Sequence, residues 1–125
     1  MVDTKTTRGL LLRTDGSKEV VWSKGAKPCI DELYRWLKCE MVCSAPVRAG
    51  LLGEHGITGY CDDIGMYEKD PNMWWSSQLA ALCGTHQVLF GDILLFGPGD
   101  DEGYDCSFPG ELVDTFREYP NGEGG

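Results

Sequence analysis

Histidine is scarce and basic charge is outnumbered in this chain, which carries two His, and 11 Lys and Arg against 20 Asp and Glu, for a formal net charge of −9. Phosphate backbones are held by clustered Lys and Arg, so direct nucleic-acid binding is disfavoured. The same charge suits the reverse arrangement, an acidic mimic of nucleic acid that occupies a basic partner, although self-repulsion for solubility accounts for it with less. No apolar run approaches the roughly eighteen residues of a membrane span, and the opening MVDTKTTRGLLLR lacks the long apolar stretch and small-residue cleavage site of a signal peptide. These features predict a cytoplasmic protein that neither enters a membrane nor is secreted.

The familiar enzyme signatures are missing as well. There is no G-x-S-x-G elbow, no G-x-x-x-x-G-K phosphate loop and no paired-histidine helix. No motif calls for a cofactor. No repeat, low-complexity tract or linker divides the chain.

What is present is the composition of a folded globule. Apolar residues make up 42% of the 125, with 4 Trp, 5 Tyr and 4 Phe, and a chain of this length buries roughly two-thirds of the surface it exposes when unfolded. One domain over residues 1–118 is predicted, with NGEGG closing a flexible tail over 119–125. Because such a chain builds its own core, its six cysteines (Cys29, Cys39, Cys43, Cys61, Cys83 and Cys106) read as free thiols in a reducing compartment.

GLLLRTDGSKEVVW holds two β-rich segments around Asp15-Gly16, a hairpin signal because both residues tolerate positive φ. In KPCIDELYRWLKCE, Ile30, Leu33, Tyr34 and Leu37 fall on one helical face; Pro28 suits a first turn, and Asp31 and Glu32 favour the N-terminus. A short strand is expected over 40–44, ended by Pro46, with AGLLGEHG as a connection. ITGYCDDIGMYE reads as a strand, an Asp62-Asp63 turn and a brief second strand. A helix capped by Asn72 runs to Gly84, with Trp75, Leu79 and Leu82 along one face. Ile93-Leu94-Leu95-Phe96 is continuously apolar, as in a central strand, and PGELVDTFREY supplies a short last helix. The expected fold is a single α+β domain: a mostly antiparallel sheet of about five strands with two main helices and a short C-terminal helix.

Four groups of residues are candidates for a site. Asp100, Asp101, Glu102 and Asp105 offer carboxylates to a hard cation, but setting Gly103 at the central glycine of an EF-hand loop puts Pro98 and Pro109 at the first and last ligands. That test fails, and Gly and Asp are ordinary turn formers. Cys39 and Cys43 have loose zinc spacing with Cys61, His55 or His86, but no second ligand pair completes a tetrahedron. No metal is therefore assigned. A small hydrolase or transferase would need His55 or His86 within about 3 Å of Cys61, Asp62 or another acid. Finally, Trp74 and Trp75 point about 100° apart on a helix, so both cannot lie on a narrow buried stripe. One is expected to be at least partly exposed, as a contact for a protein partner or a small aromatic ligand, unless another chain element or a homo-oligomer covers it.

Three stretches, CIDELYRWLKCEMV, GYCDDIGMYE followed by PNMWWSSQLA, and LFGDILLFGPGDDEGYDCSF, together resemble an uncharacterised family of small domains (a domain of unknown function) found in phages, plasmids and related mobile elements. The resemblance spans most of residues 9–108. It departs from that pattern at the double Trp and at GLLGEHG. The family brings no activity and no functional residues to carry over; what it implies is an accessory protein that acts by binding. The function expected from the sequence is thus a non-catalytic binding or sequestration module using Trp74, Trp75, Asp62, Asp63, Asp100, Asp101 and Glu102. The alternatives are the histidine-based enzyme and the acidic mimic.

Overall fold

The computed structural model describes residues 7–24, 30–45, 47, 50–84, 87–98 and 107–118. Its strands are β1 (Arg8–Leu12), β2 (Lys18–Trp22), β3 (Val42–Ser44), β4 (Thr58–Asp62) and β5 (Ile93–Phe96). Its helices are α1 (Ile30–Leu37), α2 (Gly50–Glu54), α3 (Gly65–Glu68), α4 (Met73–Cys83) and α5 (Gly110–Val113). The predicted tail, the 100–105 loop, Cys29, Cys106 and His86 lie outside the described residues.

The strands form one antiparallel sheet in the order β2-β1-β5-β4-β3, so the α+β expectation holds and the apolar 93–96 segment is the central strand. Burial on both faces explains its composition. Successive strand side chains point to opposite faces: Leu10, Leu12, Ile93 and Leu95 pack with Trp75, Leu79, Phe108 and Phe116, whereas Leu11, Leu94 and Phe96 pack with Leu33 and Leu37 of α1. Helices thus cover the centre of the sheet on both sides, and each fully buried Leu contributes about 1.5–3 kcal/mol.

β1 and β2 pair in antiparallel register from Arg8 opposite Trp22 to Leu12 opposite Lys18. The predicted hairpin is there, with a connection wider than two residues: Arg13 N–H donates to the Ser17 carbonyl at 2.9 Å, and only Gly16 takes positive φ. Asp15 instead accepts from the Ser17 backbone and hydroxyl at 2.8 and 2.6 Å.

Asn72 caps α4 as expected, accepting from Trp75 N–H, and Gly84 ends the helix in the left-handed conformation. The α1 face differs from the expectation. Ile30 is 50% exposed, and the buried side carries Glu32, Leu33 and Leu37, with Trp36 against Phe96 at 6.4 Å between ring centroids. Two further segments depart from the sequence reading. The connection 50–54 forms the one-turn helix α2, and the brief strand expected after Asp62-Asp63 is the one-turn helix α3. The strand expected over 40–44 begins at Val42.

Ties from the sheet hold the C-terminal segment. Lys18 Nζ donates to the carbonyls of Val113 and Phe116, each at 2.7 Å, and Arg8 Nε donates to the Phe108 carbonyl at 2.8 Å. No described helix is long and apolar enough to cross a membrane.

Candidate functional site

The chain leaves α1 through Lys38, whose φ of 53° is uncommon for a residue with a side chain. Its neighbour Cys39 closes the helix by donating N–H to the Tyr34 carbonyl at 3.1 Å. The reversal sends Glu40 and Met41 across the end of α1 into β3. Opposite them β4 ends at Asp62, whose carboxylate accepts from Ile64 N–H at 3.0 Å, while Asp63 N–H donates to the Met41 carbonyl, also at 3.0 Å. Such an Asx turn is what an Asp-Asp-x-Gly segment favours.

Lys69, just after α3, joins the two turns. Its Nζ donates to the Lys38 carbonyl at 2.6 Å and lies 3.9 Å from Asp62 Oδ2. The longer separation is electrostatic contact rather than a hydrogen bond.

Between these turns lies a hollow of about 460 Å³. Tyr34, Cys39, Met41 and Ile64 give it apolar walls, and Lys38, Glu40 and Asp62 supply the polar groups. Met41 is 56% exposed and Ile64 42%, and Tyr67, two positions into α3, is 81% exposed. A smaller cleft of about 230 Å³ adjoins it through Lys38, with Lys69, Asp70 and Asp92 among its lining.

Burial, then the charge of Asp62, pushes the Cys39 thiol up. Cys61 is pushed up to about 12, first by burial and then by Cys43 and Asp62. Both are therefore thiols, not thiolates, near neutral pH, and thiols are poor nucleophiles. Among the described residues no hydrogen bond links the half-buried His55 side chain to Cys61 or Asp62. No group of three or more metal-binding side chains occurs among them either. Cys43, paired with Cys39 in the zinc reading, instead faces Cys61, with 3.6 Å between sulfurs.

The two tryptophans separate as their spacing requires. Trp75 is fully buried and donates Nε1–H to the Ser17 carbonyl at 3.1 Å. Its indole is a core side chain with no surface to offer a partner, which corrects the expected contact role. Trp74 is half-buried, packs against the core and donates Nε1–H to the Arg117 carbonyl at 2.7 Å. Neither ring lines the hollow.

Of the expected contact residues, Asp62 lines the hollow and Asp63 stands exposed between two lining residues. Asp100, Asp101 and Glu102 fall outside the described residues. Sequence reasoning missed Tyr34, which it placed on the apolar face of the helix, and Met41 and Ile64, because single exposed apolar residues are ordinary. An Ile in the turn Asp62-Asp63-Ile64-Gly65 was the one available hint. Compared with known proteins, the chain matches no family model, no curated protein and no solved structure.

Proposed function

We propose that this protein is a non-catalytic binding or sequestration module, a cytoplasmic accessory of a virus or mobile element, whose contact face is the hollow between residues 38–41 and 62–67. The observation carrying this reading is the convergence of Met41 and Ile64, two large exposed apolar side chains, with Tyr34 on one hollow. Leaving them in water forgoes burial worth about 25 cal/mol per Å² of apolar area. A contiguous apolar surface with polar groups at its border is what partner and ligand sites present. The lining suits an amphipathic occupant: an apolar side chain of a partner protein, or a small molecule with an apolar body and a hydrogen-bonding edge. The mobile-element origin rests on the resemblance described above, which spans most of residues 9–108.

The raised Cys39 and Cys61 thiols weigh against either one as the activated nucleophile of an enzyme, and binding needs none. A ligand-observed NMR screen of small aromatic and aliphatic fragments tests the reading. Fragments bind the native chain, and the double variant Met41→Asp, Ile64→Asp loses at least about tenfold in affinity, equivalent to about 1.4 kcal/mol. Fragment binding unchanged by the double variant contradicts it.

A further inference from the structure

Cys43 and Cys61 stand directly opposite each other across β3 and β4, and their sulfurs are 3.6 Å apart. Both are free thiols. Their surroundings are unequal. Cys61 is buried in the core beneath α4, while Cys43 is half-buried on β3, an edge strand of three residues with one neighbour in the sheet. The edge cysteine meets solutes first, and the buried one is held within reach of it.

We infer that Cys43 and Cys61 are an oxidation site, at which an oxidant of the peroxide class joins β3 to β4 by a disulfide. The Cys43 thiolate attacks a peroxide oxygen, the O–O bond breaks, and Cys43 becomes a sulfenic acid as the oxidant is reduced to water. The Cys61 sulfur then attacks the Cys43 sulfur. The S–O bond breaks, and the oxygen leaves as a second water carrying the Cys61 proton. Two thiols and one hydrogen peroxide thus give one disulfide and two waters.

Register makes this cross-link reversible. Ala45 N–H donates to the Gly59 carbonyl and Asp63 N–H to the Met41 carbonyl, so the Cys43–Cys61 pair, lying between them, is a hydrogen-bonded pair of the ladder. Cβ atoms at such pairs sit near the wide end of about 4.5–5.5 Å, whereas a disulfide prefers roughly 3.8 Å. The short edge strand has to draw inward, and a bond held under that tension is more readily reduced.

Cys39 does not compete, because it packs on the α1 side of the sheet while Cys43 and Cys61 pack on the α4 side. The thiol of Cys61, raised by burial, stays protonated until the sulfenic acid forms beside it.

The test treats the full chain with a small excess of hydrogen peroxide, alkylates the remaining thiols, and maps the unreduced tryptic peptides by fragmentation mass spectrometry. The first cross-link to form joins Cys43 to Cys61 with loss of two hydrogens, and dithiothreitol reverses it. Cys39→Ser retains this product and Cys43→Ser loses it. A fully alkylated Cys43 and Cys61 after peroxide, or a first cross-link through any other cysteine in the native chain, overturns the assignment. Because that readout comes from the unmutated protein, it stands whether or not either variant folds well.

Discussion

The side-chain amide of Asn72 donates to the backbone carbonyl of Leu12 at 3.2 Å, in a position fully closed to solvent. The same amide donates to the Gly91 carbonyl at 3.0 Å, and its oxygen accepts from Trp75 N–H. One residue therefore starts α4 and satisfies carbonyls at the end of β1 and just before β5. Asn72→Ala removes the cap and two buried hydrogen bonds to carbonyls, for an expected loss of about 2–4 kcal/mol. Urea unfolding followed by circular dichroism measures it, and a loss below about 0.5 kcal/mol would refute the role.

Adjacent tryptophans are expected to behave differently. Trp75 packs at 6.1 Å from Phe116, ring centroid to centroid, in a closed core. Trp75→Ala costs about 3–5 kcal/mol, while truncation of the half-buried Trp74 costs under about 2. Equal losses in the same unfolding assay would contradict the placement of the two indoles.

Gly50 and Gly84 both have positive φ, yet a methyl group meets different surroundings at each. At Gly50 an added Cβ would lie 2.6 Å from the Leu82 carbonyl oxygen and 2.8 Å from Cys83 Cα, whereas nothing lies within 4 Å at Gly84. Gly84→Ala carries only the conformational penalty of about 1 kcal/mol. Gly50→Ala adds a clash between α2 and α4 and is expected to cost about 2–5 kcal/mol. Thermal unfolding of the two variants should place Gly50→Ala well below Gly84→Ala; the reverse order would count against the α2–α4 packing.

Hydrogen bonds from the Ser17 hydroxyl and backbone hold the Asp15 carboxyl below its usual value of 3.8. A carboxylate depressed in the folded state stabilises above its unfolded pKa, and that contribution disappears as pH falls through the folded pKa. The window lies below pH 4, and its effect is small because Asp15 is exposed. Ser17→Ala should raise the Asp15 pKa toward 3.8 in an NMR titration; no movement would show that the hydroxyl is not the cause.

The parts of the fold most legible in the sequence were those whose pattern answers to a single physical demand. An unbroken Ile93–Phe96 run needs cover on two faces and became the central strand, and Asn72 and Gly84 bracket α4 because a cap and a left-handed stop are local requirements. One-turn helices are less legible. Backbone bonds such as Ile57 N–H to the Leu52 carbonyl and Lys69 N–H to the Gly65 carbonyl close α2 and α3, in segments that read as a connection and a brief strand. On α1 the spacing marked Ile30, but the contact with Phe96 is made by Trp36. At the site, Asp62 was legible as a turn acid, because Asp accepts from its own downstream backbone. Met41 and Ile64 were not, since what distinguishes them is convergence between segments that are distant in sequence.

The central claim is that the hollow at Tyr34, Met41, Asp62 and Ile64 is where this protein meets its partner or ligand. The most direct measurement maps backbone amide shifts of the isotope-labelled chain during titration with the strongest fragment from the screen described above. The account predicts that the shifted amides cluster within 34–41 and 62–67. Shifts centred on Trp74 and residues 107–118, or spread evenly over the surface, would contradict it.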